Sequence, residues 1–183
     1  MRVFAALPLP GEALDSVIAW MARSRRSWPD LRWVAPGQIH LTLRFFGDIP
    51  RDTIARAAAV IVDEALEPVE FTLSRVSCFR KGREGIPGVY WLGGEFSEGL
   101  RLMVEPLCGV PDDDGRTGEP SRFVPHLTVA RQGRSREAAS LEPPAPVSGV
   151  MDRIVLMNST LTSSGPVYEV LESRGLARGE GGG

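Results

Sequence analysis

The chain of 183 residues holds two histidines, and each opens the same tripeptide, His40-Leu41-Thr42 and His126-Leu127-Thr128. An imidazole has an ordinary pKa of about 6.5, so near neutral pH one ring can accept a proton while another donates one. Hydrolysis of a phosphodiester needs both acts: deprotonation of the attacking water and protonation of the departing alkoxide. Two histidines on opposite sides of phosphorus can perform them without a metal. Thr42 and Thr128 can donate hydrogen bonds to non-bridging phosphate oxygens, and Arg131 can neutralise charge that grows in the transition state. Phe45 either offers a ring face to a base or packs in the core.

A single histidine on a strand is more often structural than catalytic. Two copies of one motif that together hold every histidine reverse that expectation. A metal held by these histidines would need further ligands, and neither HxxxH spacing nor a clear carboxylate partner supplies them, so no metal is expected.

The copies lie nearly half a chain apart, which fits an internal duplication. Each falls in a run that alternates polar and apolar, 38–46 and 123–131, the pattern of a strand with one buried face. Strand geometry puts His40 and Thr42 on one face and Leu41 and Leu43 on the other; His126 and Thr128 oppose Leu127 and Val129 in the same way. Under approximate two-fold symmetry the polar faces converge on one cleft with two imidazoles and two hydroxyls, which suits an anion.

The remaining elements must carry these strands. A strand is expected over 2–7, helices within 11–27, 51–66 and 97–109, and a hairpin from strands at 69–79 and 88–95. Two further strands are expected in 148–174 around Gly165-Pro166, and a mobile tail over 175–183. Pro106 should weaken the last turn of the third helix. Asp112-Asp113-Asp114 lacks the closing glutamate of a calcium loop and reads as a solvated loop. Helices that follow strands, with hairpins between, favour an α+β fold with antiparallel sheets.

Composition sets bounds on function. The chain is 43% hydrophobic and 24% charged, with no apolar run near the roughly 20 residues of a membrane span. Pro8 and Pro10 interrupt the N-terminal apolar run, so it reads poorly as a signal peptide and a cytoplasmic location is expected. Cys78 and Cys108 are too few and too far apart for a disulfide framework or thiolate zinc site, and both read as core residues. A net charge of −2 does not fit a scanning nucleic-acid binder, so a nucleic-acid substrate must be held locally. No glycine-rich phosphate loop stands at a strand-to-helix junction, and no nucleotide cofactor is expected.

These motifs resemble the two-histidine phosphoesterases, and within them the RNA 2′,3′-cyclic phosphodiesterases historically called 2′-5′ RNA ligases. The resemblance runs through Arg2-Val3-Phe4-Ala5-Ala6-Leu7, the stretch from His40 to Gly47, that from Phe123 to Arg131, Leu156-Met157-Asn158-Ser159 and Gly165-Pro166-Val167-Tyr168. It implies one domain over 1–174 made of two pseudo-symmetric lobes, each an antiparallel sheet with helices on its outer face, around a central cleft. It also implies metal-independent hydrolysis of a terminal 2′,3′-cyclic phosphate to a 2′-phosphate, with His126 as general base for water and His40 as general acid for O3′. Thr42, Thr128 and Arg131 match phosphate-binding positions, and Phe45 matches an aromatic one. The implied partners are RNA ends or small cyclic nucleotides, met by a monomer away from any membrane. One departure stands at Phe79-Arg80, where the family often carries Phe-Pro beside the cleft. The alternatives are 2′-5′ RNA joining, hydrolysis of another cyclic or 2′-5′-linked nucleotide, and a noncatalytic nucleotide- or RNA-binding module.

Overall fold

A computed structural model of the chain describes residues 1–63, 66–82, 85–134, 137–163 and 165–177. In chain order the elements are β1 (Arg2–Pro8), α1 (Gly11–Ser27), β2 (Arg32–Trp33), β3 (His40–Asp48), α2 (Arg51–Asp63), β4 (Val69–Lys81) and β5 (Ile86–Phe96). They continue as α3 (Gly99–Cys108), β6 (Leu127–Arg131), β7 (Val147–Met151), β8 (Arg153–Thr162) and β9 (Gly165–Gly175).

The strands form one curled antiparallel sheet in the order β7-β4-β5-β6-β3-β1-β8-β9, with the short β2 added to β6. Its midpoint is the β6–β3 seam, which rests on the register pair Leu41 and Leu127. Outward from the seam, one lobe reads β3-β1-β8-β9 and the other β6-β5-β4-β7. Each lobe thus begins with its own histidine motif. Helices α2 and α3 cover the first lobe, on β8, β9 and β3, while α1 lies on β7 of the second. The α+β fold of two pseudo-symmetric lobes about a cleft is the architecture observed.

Residues at helical spacing explain the layers. Ala13, Val17, Trp20 and Met21 are the buried side of α1, and Arg25 and Arg26 stand in its last turn, where they complement the helix dipole. Leu100, Met103, Val104 and Leu107 do the same for α3, whose last turn persists through Pro106 because Leu107 and Cys108 are buried beneath it.

The structure departs from the periodicity in two places. The strand expected from 123 starts only at Leu127, because a 3-10 turn over Pro120–Arg122 and the missing N–H of Pro125 leave the preceding residues without a ladder. The 148–174 stretch holds three strands rather than two. The chain breaks at Asp152, where β7, paired with β4, gives way to β8, paired with β1, so it passes there from the second lobe to the first. The triple aspartate is the solvated loop expected, with Asp113 and Asp114 exposed, and it is also tied to the end of β3. The Asp113 N–H donates to the Phe46 carbonyl (2.8 Å), the Asp48 N–H donates to Asp113 Oδ2 (3.1 Å), and Asp112 Oδ1 accepts from the N–H groups of Asp114 and Arg116.

Gly47 makes this turn possible. Its φ is +78°, and a Cβ there would collide with the Asp113 carboxylate. Gly47→Ala is expected to cost about 1–3 kcal/mol. An unchanged urea midpoint would contradict that account.

Cys108 is buried and Cys78 is half-buried against the core, neither in a disulfide. Gly175 still belongs to β9, and Leu176 is buried with its N–H on the Asp152 carbonyl (2.7 Å). The remainder of the expected tail, 178–183, lies outside the described residues, as do 64–65 of the second expected helix.

Candidate functional site

Plain alternation along β3 would put Arg44 beside His40 and Thr42 and turn Phe45 toward the core. The register with β1 shows otherwise: Ala6 faces Thr42, Ala5 faces Arg44 and Phe4 faces Phe45, so Leu43 is the extra residue of a β-bulge. The bulge reverses the faces beyond it. Phe45 therefore joins His40 and Thr42, while Arg44 turns away to Asp112 (3.6 Å) and the Arg116 carbonyl (3.1 Å). The second lobe repeats the device. Trp91 faces Thr128, Tyr90 faces Ala130 and Val89 faces Arg131, leaving Val129 as the extra residue. Both bulges fall three residues after the histidine, and each delivers the fifth residue after it, Phe45 or Arg131, to the cleft.

The resulting cleft, about 210 Å³, is lined by His40, Thr42, Phe45, Thr128 and Arg131, with Phe4, Gln38, Ser159 and Tyr168 among its other walls. Of the six residues expected at a site, His126 is the one not on this lining. It borders from the second lobe, close enough for its charge to bear on His40. A wider cleft of about 410 Å³ beside Trp20 and Trp28 holds neither histidine. Among the described residues no three His, Cys, Asp or Glu side chains gather as a metal-ligand set.

Each imidazole has a backbone partner two residues before it. His126 Nδ1 lies 2.8 Å from the Val124 carbonyl. A carbonyl only accepts, so Nδ1 carries the proton and the neutral ring keeps its lone pair on Nε2. His40 has a hydrogen bond to the backbone of Gln38. Gln38 is itself held, its Nε2 donating to the Pro166 carbonyl (2.8 Å), which draws the start of β9 against the site.

The aromatic surroundings differ between the lobes. Phe4 stacks on His40 at 5.0 Å between centroids and Tyr168 meets it edge to face at 5.5 Å. Phe79 stands perpendicular to His126 at 4.8 Å, with Trp91 at 6.1 Å. Gly93 leaves room for that indole, since a Cβ there would sit 2.7 Å from Trp91 Cζ3. Burial, above all, pushes the His40 pKa down to about 4; the Gln38 hydrogen bond opposes the shift and repulsion from His126 adds to it.

The same shift links stability to pH. Folded His40 refuses the proton that the unfolded chain binds at about 6.5, so stability is full above that pH and is lost as pH falls toward 4. The loss should be on the order of 3 kcal/mol. Urea unfolding of the wild type and His40→Asn across this window should differ with that slope, and a flat difference would contradict it.

Phe4, Gln38, Phe79, Trp91, Ser159 and Tyr168 are site neighbours to which the motifs assign no role. Phe79 had a signal as the retained half of the family's Phe-Pro pair. Phe4, Ser159 and Tyr168 lie in segments that carry the resemblance, but their direction depends on which strands flank β1 and β8. Trp91 gave no signal.

Two antiparallel lobes thus bring a histidine-threonine motif each to their common seam. The LigT-like phosphoesterase family model matches residues 7–90. The RNA 2′,3′-cyclic phosphodiesterase of Thermus thermophilus is 32% identical, over 100% of this chain and 93% of the relative. That of Thermotoga maritima is 28% identical over 93% of each chain. A crystal structure of a Thermus thermophilus protein superposes with a TM-score of 0.75 at 31% identity, covering 98% of this chain and 100% of that one. The chain belongs to the LigT-like phosphoesterase family, and it is an enzyme, a phosphoesterase. Among the described residues no helix is long and apolar enough to cross a membrane.

Proposed function

We propose that this phosphoesterase hydrolyses the 2′,3′-cyclic phosphate at an RNA end to a 2′-phosphate, by acid–base catalysis between His40 and His126 with no metal. The observation that carries this reading is the gathering of His40, Thr42, Thr128 and Arg131 in one cleft, with His126 bordering it from the second lobe. The names of the relatives, RNA 2′,3′-cyclic phosphodiesterase, support the substrate.

The chemistry runs as a single displacement at phosphorus. Thr42, Thr128 and Arg131 hold the non-bridging oxygens. His126 Nε2 takes a proton from water as its oxygen bonds to phosphorus, the P–O3′ bond breaks, and His40 gives O3′ a proton. The cycle closes when His126 releases its proton to solvent and His40 regains one. His40 is neutral in the free enzyme at neutral pH. A bound phosphate anion against its ring reverses the effect of burial, so the acid's proton arrives with the substrate. Phe45, whose ring is exposed at the cleft, offers a surface to the terminal nucleoside. The enzyme acts as a monomer in the cytoplasm, where the unpaired Cys78 and Cys108 stay reduced.

The purified chain in excess chelator should convert a cyclic-phosphate-ended oligoribonucleotide to a single product and leave the internal 3′-5′ linkages intact. An unchanged cyclic end would refute the proposal, and a new 2′-5′ junction as the main product would replace hydrolysis with joining.

A further inference from the structure

The two lobes differ in what their bulges deliver. The His126 lobe presents Arg131 to a bound phosphate, whereas the His40 lobe presents Phe45, a ring without a donor. Two hydroxyls stand on that poorer side. Ser159 of β8 and Tyr168 of β9 face each other in antiparallel register, and both line the cleft. The Tyr168 ring is fixed by Phe4 (5.2 Å, 71°) and by His40 (5.5 Å, 76°), so the direction of its hydroxyl is fixed as well.

The chain has two tyrosines, and they are used differently. Tyr90 is structural: its hydroxyl donates to Gln132 Oε1 (2.9 Å) and accepts the Ala139 N–H (2.8 Å). The Tyr168 and Ser159 hydroxyls have no hydrogen-bond partner among the described residues. Both side chains line the cleft, where a ligand oxygen can reach hydroxyls that the protein leaves unused. Burial raises the Tyr168 pKa above the ordinary value, with the Arg131 charge opposing, so the phenol keeps its proton wherever histidines work.

We infer that Tyr168, with Ser159 beside it, is a further substrate-binding residue whose hydroxyl donates to a phosphate oxygen on the His40 side, opposite Arg131. The inference rests on the proposed function and deepens it: the phosphate is held by a cation from one lobe and hydroxyl donors from the other.

Tyr168→Phe keeps the ring that packs on His40 and removes only the donor, while Tyr168→Ala removes both. Each variant should be titrated with adenosine 2′-monophosphate by calorimetry and assayed on the cyclic-phosphate oligonucleotide, with melting temperature recorded. For Tyr168→Phe the account expects an unchanged melting temperature, affinity for the monophosphate weakened about 10-fold, and kcat/KM lowered about 10- to 100-fold. Ser159→Ala should act in the same direction and less strongly. Wild-type binding and turnover in Tyr168→Phe, with losses confined to Tyr168→Ala, would overturn the inference and leave the ring as packing alone. Should the wild type itself fail to open the cyclic phosphate, the proposed function falls, while the binding comparison still decides the role of Tyr168.

Discussion

Replacing either His40 or His126 by alanine is expected to lower turnover of a cyclic-phosphate-ended RNA by about 10²–10⁴-fold. Replacing both should cost little more than replacing one. The rings act on the two ends of one displacement, so removing either leaves the other serving a step that no longer proceeds, and such losses do not add. Residual activity over water should survive in the double variant, because Thr42, Thr128 and Arg131 still hold and polarise the phosphate. The two single variants should differ in stability. His40→Ala relieves the need to keep a buried ring neutral but removes the stack on Phe4, whereas His126→Ala opens a gap beside Phe79 and Trp91. Steady-state rates corrected for the folded fraction check the first point. A double variant slower than either single by the product of their losses would show that the histidines act independently.

Leu127→Ala is expected to destabilise the chain by about 2–5 kcal/mol and to slow the reaction more than lost folded protein explains. Leu127 and Leu41 are fully buried, and their register pair is where β6 meets β3, so the same contact closes the core and sets the spacing of the two histidine strands. A cavity there loosens the seam across which acid and base must stand. Leu161→Ala is the matched control, since Leu161 is 65% exposed on β8 and should change stability by about 0.5 kcal/mol or less. Urea midpoints together with kcat per folded molecule test the claim. A Leu127→Ala enzyme of normal kcat would mean that the seam stabilises the fold without positioning the site.

Much of this was legible because the site is written twice. The repeated His-Leu-Thr put each imidazole beside a hydroxyl with the leucine beneath, and burial of Leu41 and Leu127 agrees with that alternation. Helices followed from the spacing of residues such as Leu14, Val17, Ile18 and Met21. The bulges were not legible, because Leu43 and Val129 are apolar residues where alternation calls for apolar residues, and only the partner strand counts them as extra. Arg44, which shares a sequence face with His40 and Thr42, is for this reason spent on Asp112 instead of phosphate. The crossing at Asp152 was hidden too, since β7 and β8 follow one another with a single residue between them and differ in the lobe they join. Tyr168 needed β9 placed on β8, and β8 on β1, before its ring could be set against His40.

The most direct test of the central claim is to run the reaction in chelator-treated water labelled with heavy oxygen and analyse the product by mass and by phosphorus resonance. The account predicts one heavy oxygen on phosphorus, a phosphate left on O2′ with a free 3′-hydroxyl, and no effect of chelator on the rate. A product carrying the phosphate on O3′, or a reaction that stops when metal is removed, would contradict it.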